Sequence, residues 1–200
     1  MSERLLLAIV VLLVALVTGL GLFWRPDWPE PPLPVASLPA GGDFTLHAAA
    51  GPVNLADYRG KAVLLFFGYT WCPDICPTTL STVAAALNQL SAAERARVAA
   101  IFVSVDPERD TPARLQEYTA FFDPAIVGVT GSAAEVAAVA RRYGVFYAAQ
   151  KAAAAGDGYV VDHTADTYLI GPDGRLSGTL PHGVAPEQMA DGMRKMLNQP

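Results

Sequence analysis

The chain has 200 residues, 52% of them apolar and 16% charged, with a formal net charge of −5. That balance excludes intrinsic disorder, and with no stripe of Lys and Arg it argues against a nucleic-acid partner. The 2 cysteines are separated by three residues, so they form a local site or one local disulfide, not the framework of a stapled secreted miniprotein.

Residues 5–24 carry no charge, and Thr18 is their only polar side chain apart from the tryptophan at the end. At about 1.5 Å per residue, twenty helical residues reach roughly 30 Å, the hydrocarbon thickness of a bilayer. The run exceeds the 7–15 residues or so of a signal-peptide core. A retained anchor is therefore expected over a signal cleaved near Gly19-Leu20-Gly21. Residues 1–24 read as a short cytoplasmic tail and a single transmembrane helix. Arg4 and Arg25 flank the run about equally, so charge hardly sets its orientation; an exported domain is the simpler arrangement. The absence of an Arg- and Ser-rich leader points to a bacterial inner membrane with the domain in the periplasm.

Residues 25–40 begin Arg25-Pro26-Asp27-Trp28-Pro29-Glu30-Pro31-Pro32. Such a proline-rich linker runs extended, about 3.1 Å per residue, and spaces the domain up to roughly 45 Å from the bilayer. Trp24 and Trp28 are candidates for interfacial anchors. The globular domain is expected over residues 41–200.

Within it, residues 44–47 and 53–55 read as a hairpin around Gly51-Pro52. Residues 62–67 form a continuous apolar run, as a strand buried on both faces should. Residues 78–90 have helical spacing, and 99–105 read as a second buried strand. Thr111 can cap a helix whose first residue is Pro112. A strand at 126–129 and a helix at 133–143, stopped by Gly144, come next. Residues 145–149 and 159–161 suggest a second hairpin. A strand at 167–170 turns through Gly171-Pro172-Asp173-Gly174 into 175–180. A helix at 186–197 closes the chain. Alternating strands and helices followed by an antiparallel pair imply an α/β sandwich of the thioredoxin-like type with an N-terminal β-hairpin.

The cysteines lie in Trp71-Cys72-Pro73-Asp74-Ile75-Cys76-Pro77. Each precedes a proline, which disfavours α conformation at the cysteine. Pro77 suits the first residue of the following helix, placing Cys76 at its N-terminus and Cys72 in the loop above. The helix dipole and unpaired N–H groups there favour a thiolate. Thiolates serve both disulfide exchange and metal ligation. Dithiol oxidoreductases of this fold separate their cysteines by two residues, and here there are three. Thioredoxins also place a cis-proline before the strand facing the dithiol; here Asp162-His163-Thr164-Ala165-Asp166 precedes residues 167–170. If that strand packs as in thioredoxins, His163 faces the cysteines. Two thiolates and an imidazole suit copper(I), which accepts low coordination and soft sulfur, and they are also donors that hold copper(II). Structural zinc asks for four ligands, and there is no third cysteine.

Three blocks together, Cys72-Pro73-Asp74-Ile75-Cys76-Pro77, Ser104-Val105-Asp106-Pro107-Glu108-Arg109-Asp110-Thr111-Pro112, and Asp162-His163-Thr164 before Tyr168-Leu169-Ile170, resemble the Sco/SenC family. The resemblance covers roughly residues 41–197. It implies a thioredoxin-like metallochaperone holding one copper ion per domain through Cys72, Cys76 and His163. It also implies service to cytochrome c oxidase, either loading the copper centre of subunit II or reducing that centre's cysteines, and an upstream copper donor. The alternative function is a membrane-anchored thiol–disulfide reductase with Cys72 and Cys76 as its redox pair and no need of His163. A peroxidase of the same fold is disfavoured, because no Pro-x-x-x-Thr-x-x-Cys arrangement is present.

The remaining polar residues near these motifs have blander readings. His47 and His182 are expected on the surface. Asp74 is a turn former or a carboxylate that tunes the site. Tyr69 and Trp71 are expected to shield the site against the domain. Asp106 and Asp110 are expected to set the turn and cap the next helix, near the copper loop by resemblance. The alanine-rich stretch from Lys151 to Gly156 is left as an irregular loop.

Overall fold

The computed structural model describes residues 3–23, 38–151 and 158–198. The chain divides into two compact units at Ser37/Leu38. In the first, helix α1 (Glu3–Phe23) contains a segment, Glu3–Gly21, long and apolar enough to cross a membrane. Most of the proline-rich stretch, with Trp24 and Trp28, lies outside the described residues, as do residues 152–157.

The second unit opens with hairpin β1 (Thr45–Ala48) and β2 (Gly51–Asn54), in register Thr45↔Asn54. The turn falls two residues earlier than the sequence suggests. Ala49-Ala50 make it, Gly51 follows at φ 126, and Pro52 sits in β2 opposite His47. A proline is tolerated there because this ribbon is an edge. After a 3-10 turn (Leu55–Tyr58) come β3 (Ala62–Gly68), α2 (Ile75–Asn88), the one-turn α3 (Ala92–Arg95) and β4 (Val98–Ser104). Then follow α4 (Pro112–Phe122), β5 (Ile126–Val129) and α5 (Ala133–Arg142). A second hairpin, β6 (Tyr147–Lys151) and β7 (Tyr159–His163), precedes β8 (Thr167–Ile170), β9 (Leu176–Leu180) and α6 (Pro186–Leu197).

The main sheet has strand order β5-β4-β3-β8-β9. β3 pairs in parallel with β4, as β4 does with β5, while β8 runs antiparallel to β3 and to β9. All seven residues of β3 are buried. Their alternation feeds two cores. Ala62, Leu64 and Phe66 pack with α2, α4 and α6 on one face. Val63, Leu65 and Phe67 pack with the first hairpin and α5 on the other. This is the thioredoxin-like α/β sandwich expected, with its N-terminal hairpin.

Helix starts follow their caps. Thr111 accepts from the Arg114 N–H with Pro112 first in the helix, and Ser132 and Glu135 form a reciprocal capping box on α5. The departure is α2, which begins at Ile75 and not at Pro77. Cys76 and Pro77 are both inside its first turn. Proline is harmless there, since first-turn N–H groups have no helical acceptor. Helix α4 lies close on β5 because residue 128 is glycine: a Cβ there would stand 2.8 Å from Leu115 Cβ. Leu115 is fully buried at that contact. Leu115→Ala is expected to cost about 2–5 kcal/mol, read as a lower urea midpoint at unchanged slope.

Candidate metal centre

β3 ends at Gly68, and the loop Tyr69-Thr70-Trp71 carries the chain over the sheet edge to Cys72. This loop is pinned by Asp110, whose carboxylate is fully buried. Asp110 accepts from the Thr70 N–H (2.9 Å), the Thr70 hydroxyl (2.5 Å) and the Ser104 hydroxyl (2.6 Å), with Arg114 Nε 3.8 Å away. A buried carboxylate is tolerable only when hydrogen-bonded in this way. Thr111, not Asp110, caps α4. Asp110 instead joins the end of β4 to the loop before Cys72.

Cys72 is partly exposed and Cys76 is buried. The Cys76 N–H, an unpaired first-turn donor of α2, points to Cys72 Sγ at 3.4 Å. The helix N-terminus thus serves the sulfur of Cys72 more than that of Cys76. The Cys72 pKa is pulled well down, first by the Cys76 thiol, then by His163 and by the backbone N–H groups of Asp74 and Cys76. Cys76 is pushed up, first because its thiol donates to Cys72 and then by burial. These opposite shifts favour a Cys72 thiolate beside a Cys76 thiol. It is the backbone of Asp74 that acts here. Among the described residues its exposed carboxylate accepts only from Thr78 (3.3 Å), as a turn former would.

His163 closes β7, so it belongs to the second hairpin and not to the loop before β8. Its Nδ1 lies 3.0 Å from the Thr164 carbonyl. A carbonyl only accepts, so Nδ1 is a donor, and in the neutral imidazole it is Nε2 that presents a lone pair. That Nε2 is 3.4 Å from Cys76 Sγ. Ring contacts fix the imidazole, with Tyr69 and Phe66 edge-on at 5.8 and 6.1 Å between centroids. The ligating atoms of Cys72, Cys76 and His163 all lie within 4.8 Å of one another. Three residues spread over ninety positions thus converge on a pocket with two soft sulfurs and one imidazole, a set suited to copper.

The other candidates fall where expected, with one exception. His47 and His182 are exposed; His182 Nδ1 lies 3.1 Å from the Thr79 hydroxyl and His47 pairs its backbone with Thr130. Tyr69 is buried beside His163, as a shield should be. Trp71 does not shield the site: it is 57% exposed, with Arg114 Cζ 4.9 Å from its ring centre. The sequence reading missed Gly68. A Cβ there would stand 2.4 Å from Cys76 Sγ and 2.9 Å from the Phe102 ring. Only glycine leaves room for the buried sulfur, and a glycine ending a buried strand is the signal that marks such close approach.

A model of the SCO1/SenC family matches residues 35–198. The chain belongs to the SCO1/SenC family. It is 42% identical over 158 residues to the mitochondrial SCO2 homolog of Bos taurus, covering 78% of this chain and 59% of the relative. The chain thus spans about three-fifths of that relative's length. Among solved structures it is similar to the copper-bound ScoI of Bradyrhizobium japonicum, at 39% identity and TM-score 0.71 over 78% of this chain and 99% of that one. It is also similar to BsSco, described as having a disulfide switch and as a member of the Sco family of cytochrome c oxidase assembly proteins, at 26% identity and TM-score 0.61, over 82% of this chain and 96% of that one.

Two outcomes follow for this SCO1/SenC domain. Iodoacetamide at about pH 6 should label Cys72 well before Cys76, read by peptide mass spectrometry, because only Cys72 is both ionised and reachable. Gly68→Ala should displace the Cys76 sulfur and cost about 1–3 kcal/mol in urea unfolding.

Proposed function

We propose that this chain binds one copper ion through Cys72, Cys76 and His163 and serves the assembly of cytochrome c oxidase. The observation that carries the reading is the convergence of two sulfurs and one Nε2 lone pair within 4.8 Å, in a member of a family with copper-bound structures. Soft thiolates and an imidazole in a three-coordinate set fit copper(I), and the same donors accept copper(II). Copper is cargo here. Cys72, partly exposed, is the ligand an incoming or receiving site reaches first, while Cys76 and His163 hold from behind. Uptake requires loss of the Cys76 proton.

In the finer reading, the receiving site is the copper centre of oxidase subunit II, and an upstream donor supplies the ion. Residues 1–24 anchor the chain by one pass with the N-terminus in the cytoplasm, residues 25–40 space it, and residues 41–200 work in the periplasm of a bacterial inner membrane. The apolar segment Glu3–Gly21 supports the anchor.

The paired thiol and thiolate also favour a second reading, thiol–disulfide reduction of a copper-site protein. The Cys72 thiolate attacks one sulfur of the partner disulfide and forms a mixed disulfide. Cys76 then attacks Cys72, and the partner leaves as a dithiol. Two electrons pass to the partner, and Cys72–Cys76 becomes the disulfide.

Anaerobic titration of the fully reduced chain in detergent with copper(I), against a chromophoric chelator, separates the two. One equivalent should bind tightly. Cys72→Ala and Cys76→Ala should abolish that binding, and His163→Ala should weaken it by about tenfold or more. Wild-type binding no tighter than that of His163→Ala would leave the reductase as the better account.

A further inference from the structure

We propose that Arg109, Asp106 and Tyr159 form a clasp whose role is to position His163. This rests on the copper reading above. His163 sits on the β6–β7 ribbon, and that ribbon is lightly packed. It forms a two-stranded sheet of its own, with no ladder to the main sheet. No residue of β6 is buried, and in β7 only Val161 is. A cleft of about 600 Å³ separates the ribbon from the loop after β4, lined by Val105, Pro107, Ala133, Tyr147 and Val161 among others. Burial at a few tens of calories per Å² is therefore a small term for this element. At the ribbon's mouth, Thr164 and Phe146 bond each other, which closes the hairpin without tying it to the core.

What ties it down is polar. Arg109 Nη1 donates to the Tyr159 carbonyl at 2.8 Å, and the Tyr159 hydroxyl donates to Asp106 Oδ1 at 2.7 Å. Arg109 Nε donates to Asp106 Oδ2 at 2.5 Å, closing the ring of contacts. The Arg109 guanidinium lies 3.7 Å from the Tyr159 ring centre, a stacked cation–π arrangement. Asp106 is 3% exposed and its N–H donates to the Ser104 hydroxyl oxygen, so the anchor end is rigid. Arg109 also lies 5.6 Å from the Tyr69 ring, and Tyr69 touches His163. Tyr159 opens β7 and His163 closes it. Four residues of strand, about 13 Å, transmit the clasp to the imidazole. Lysine could not replace Arg109, because the fork and the stacking plane are both used.

The test is a double-mutant cycle on the full chain in detergent, with copper(I) competed against bicinchoninate. Arg109→Ala should weaken copper(I) by about tenfold in the His163 background, within the 10- to 100-fold span of partners that orient a ligand. It should change affinity less than twofold in the His163→Ala background, since it acts through that residue. Tyr159→Phe, a milder change, should lose less in the same pattern. An equal loss in both backgrounds overturns the proposal, because Arg109 would then act through the cysteine loop or on stability at large. No loss in either overturns it too. A copper-free readout separates this from failure of the copper reading. In the apo chain, Arg109→Ala should speed amide exchange across residues 159–163 and leave β3 and β4 unchanged. If wild type binds no copper but exchange in 159–163 rises, the clasp stands and the metal assignment falls. Unchanged exchange refutes the clasp directly.

Discussion

β3 is enclosed on every side, with β4 and β8 on its edges and a core on each face. A strand so enclosed can carry no unpaired polar side chain, since each would cost several kcal/mol to bury. Its whole length is therefore apolar, and any chemistry has to begin where it stops. It stops at Gly68, and the next four residues lead to Cys72. In sheets of this kind the strand's carboxyl end is where loops can carry function while the sheet holds them still. The glycine does a second thing. By presenting no Cβ it lets Cys76 Sγ lie against the strand backbone, so the buried thiol is effectively a core residue that reaches the surface only through its neighbour.

The three candidate ligands are held by unlike means, and the difference has consequences. The two cysteines stand on α2 and on a loop fastened by the buried Asp110 carboxylate to Thr70 and Ser104. Losing one partner there would leave a buried charge under-satisfied, so the loop has one stable arrangement. His163 stands on a ribbon with a single buried residue. Under the copper-delivery proposal, an ion that is to be released needs ligands that can leave one at a time. The two differ in what holds them: the imidazole rests on ring contacts with Phe66 and Tyr69, whereas moving Cys76 would disturb Gly68 and Phe102.

Much of this was legible from the sequence, for physical reasons that differ between elements. Thr111-Pro112 and Pro186 marked helix starts to the residue, because cap and proline chemistry is local. The run at 62–67 announced a strand buried on both faces because no polar residue interrupts it. Cys72, Cys76 and His163 were found through spacing and the resemblance, and the structure brings them together. Local rules failed where tertiary contacts decide. Proline chemistry put the start of the helix at Pro77 with Cys76 at its N-terminus, yet α2 starts two residues earlier, at Ile75, with the Cys76 N–H directed to the sulfur of Cys72. Trp71 looked like a shield, but two arginines hold it outward. Gly68 and the Arg109–Tyr159 contact join residues far apart in the chain or across a strand end, and no periodicity reports such pairs.

The structure also changes how the two functional readings relate. From the sequence, a reductase needs the cysteines and has no use for the histidine. In the structure Nε2 of His163, the lone-pair nitrogen of the neutral imidazole, lies 3.4 Å from Cys76 Sγ. Cys76 is the protonated member of the pair, and it must lose that proton before it can attack a mixed disulfide on Cys72. The imidazole stands where a base would receive it. Copper uptake requires the same deprotonation of the same sulfur. One imidazole is thus placed for either proposed chemistry, as acceptor of the Cys76 proton in one and as a ligand in the other. Loss of thiol exchange on removing His163 is therefore no evidence against a reductase, and it is no evidence for a chaperone. What divides them is whether the three-donor set retains a copper ion when both sulfurs are reduced.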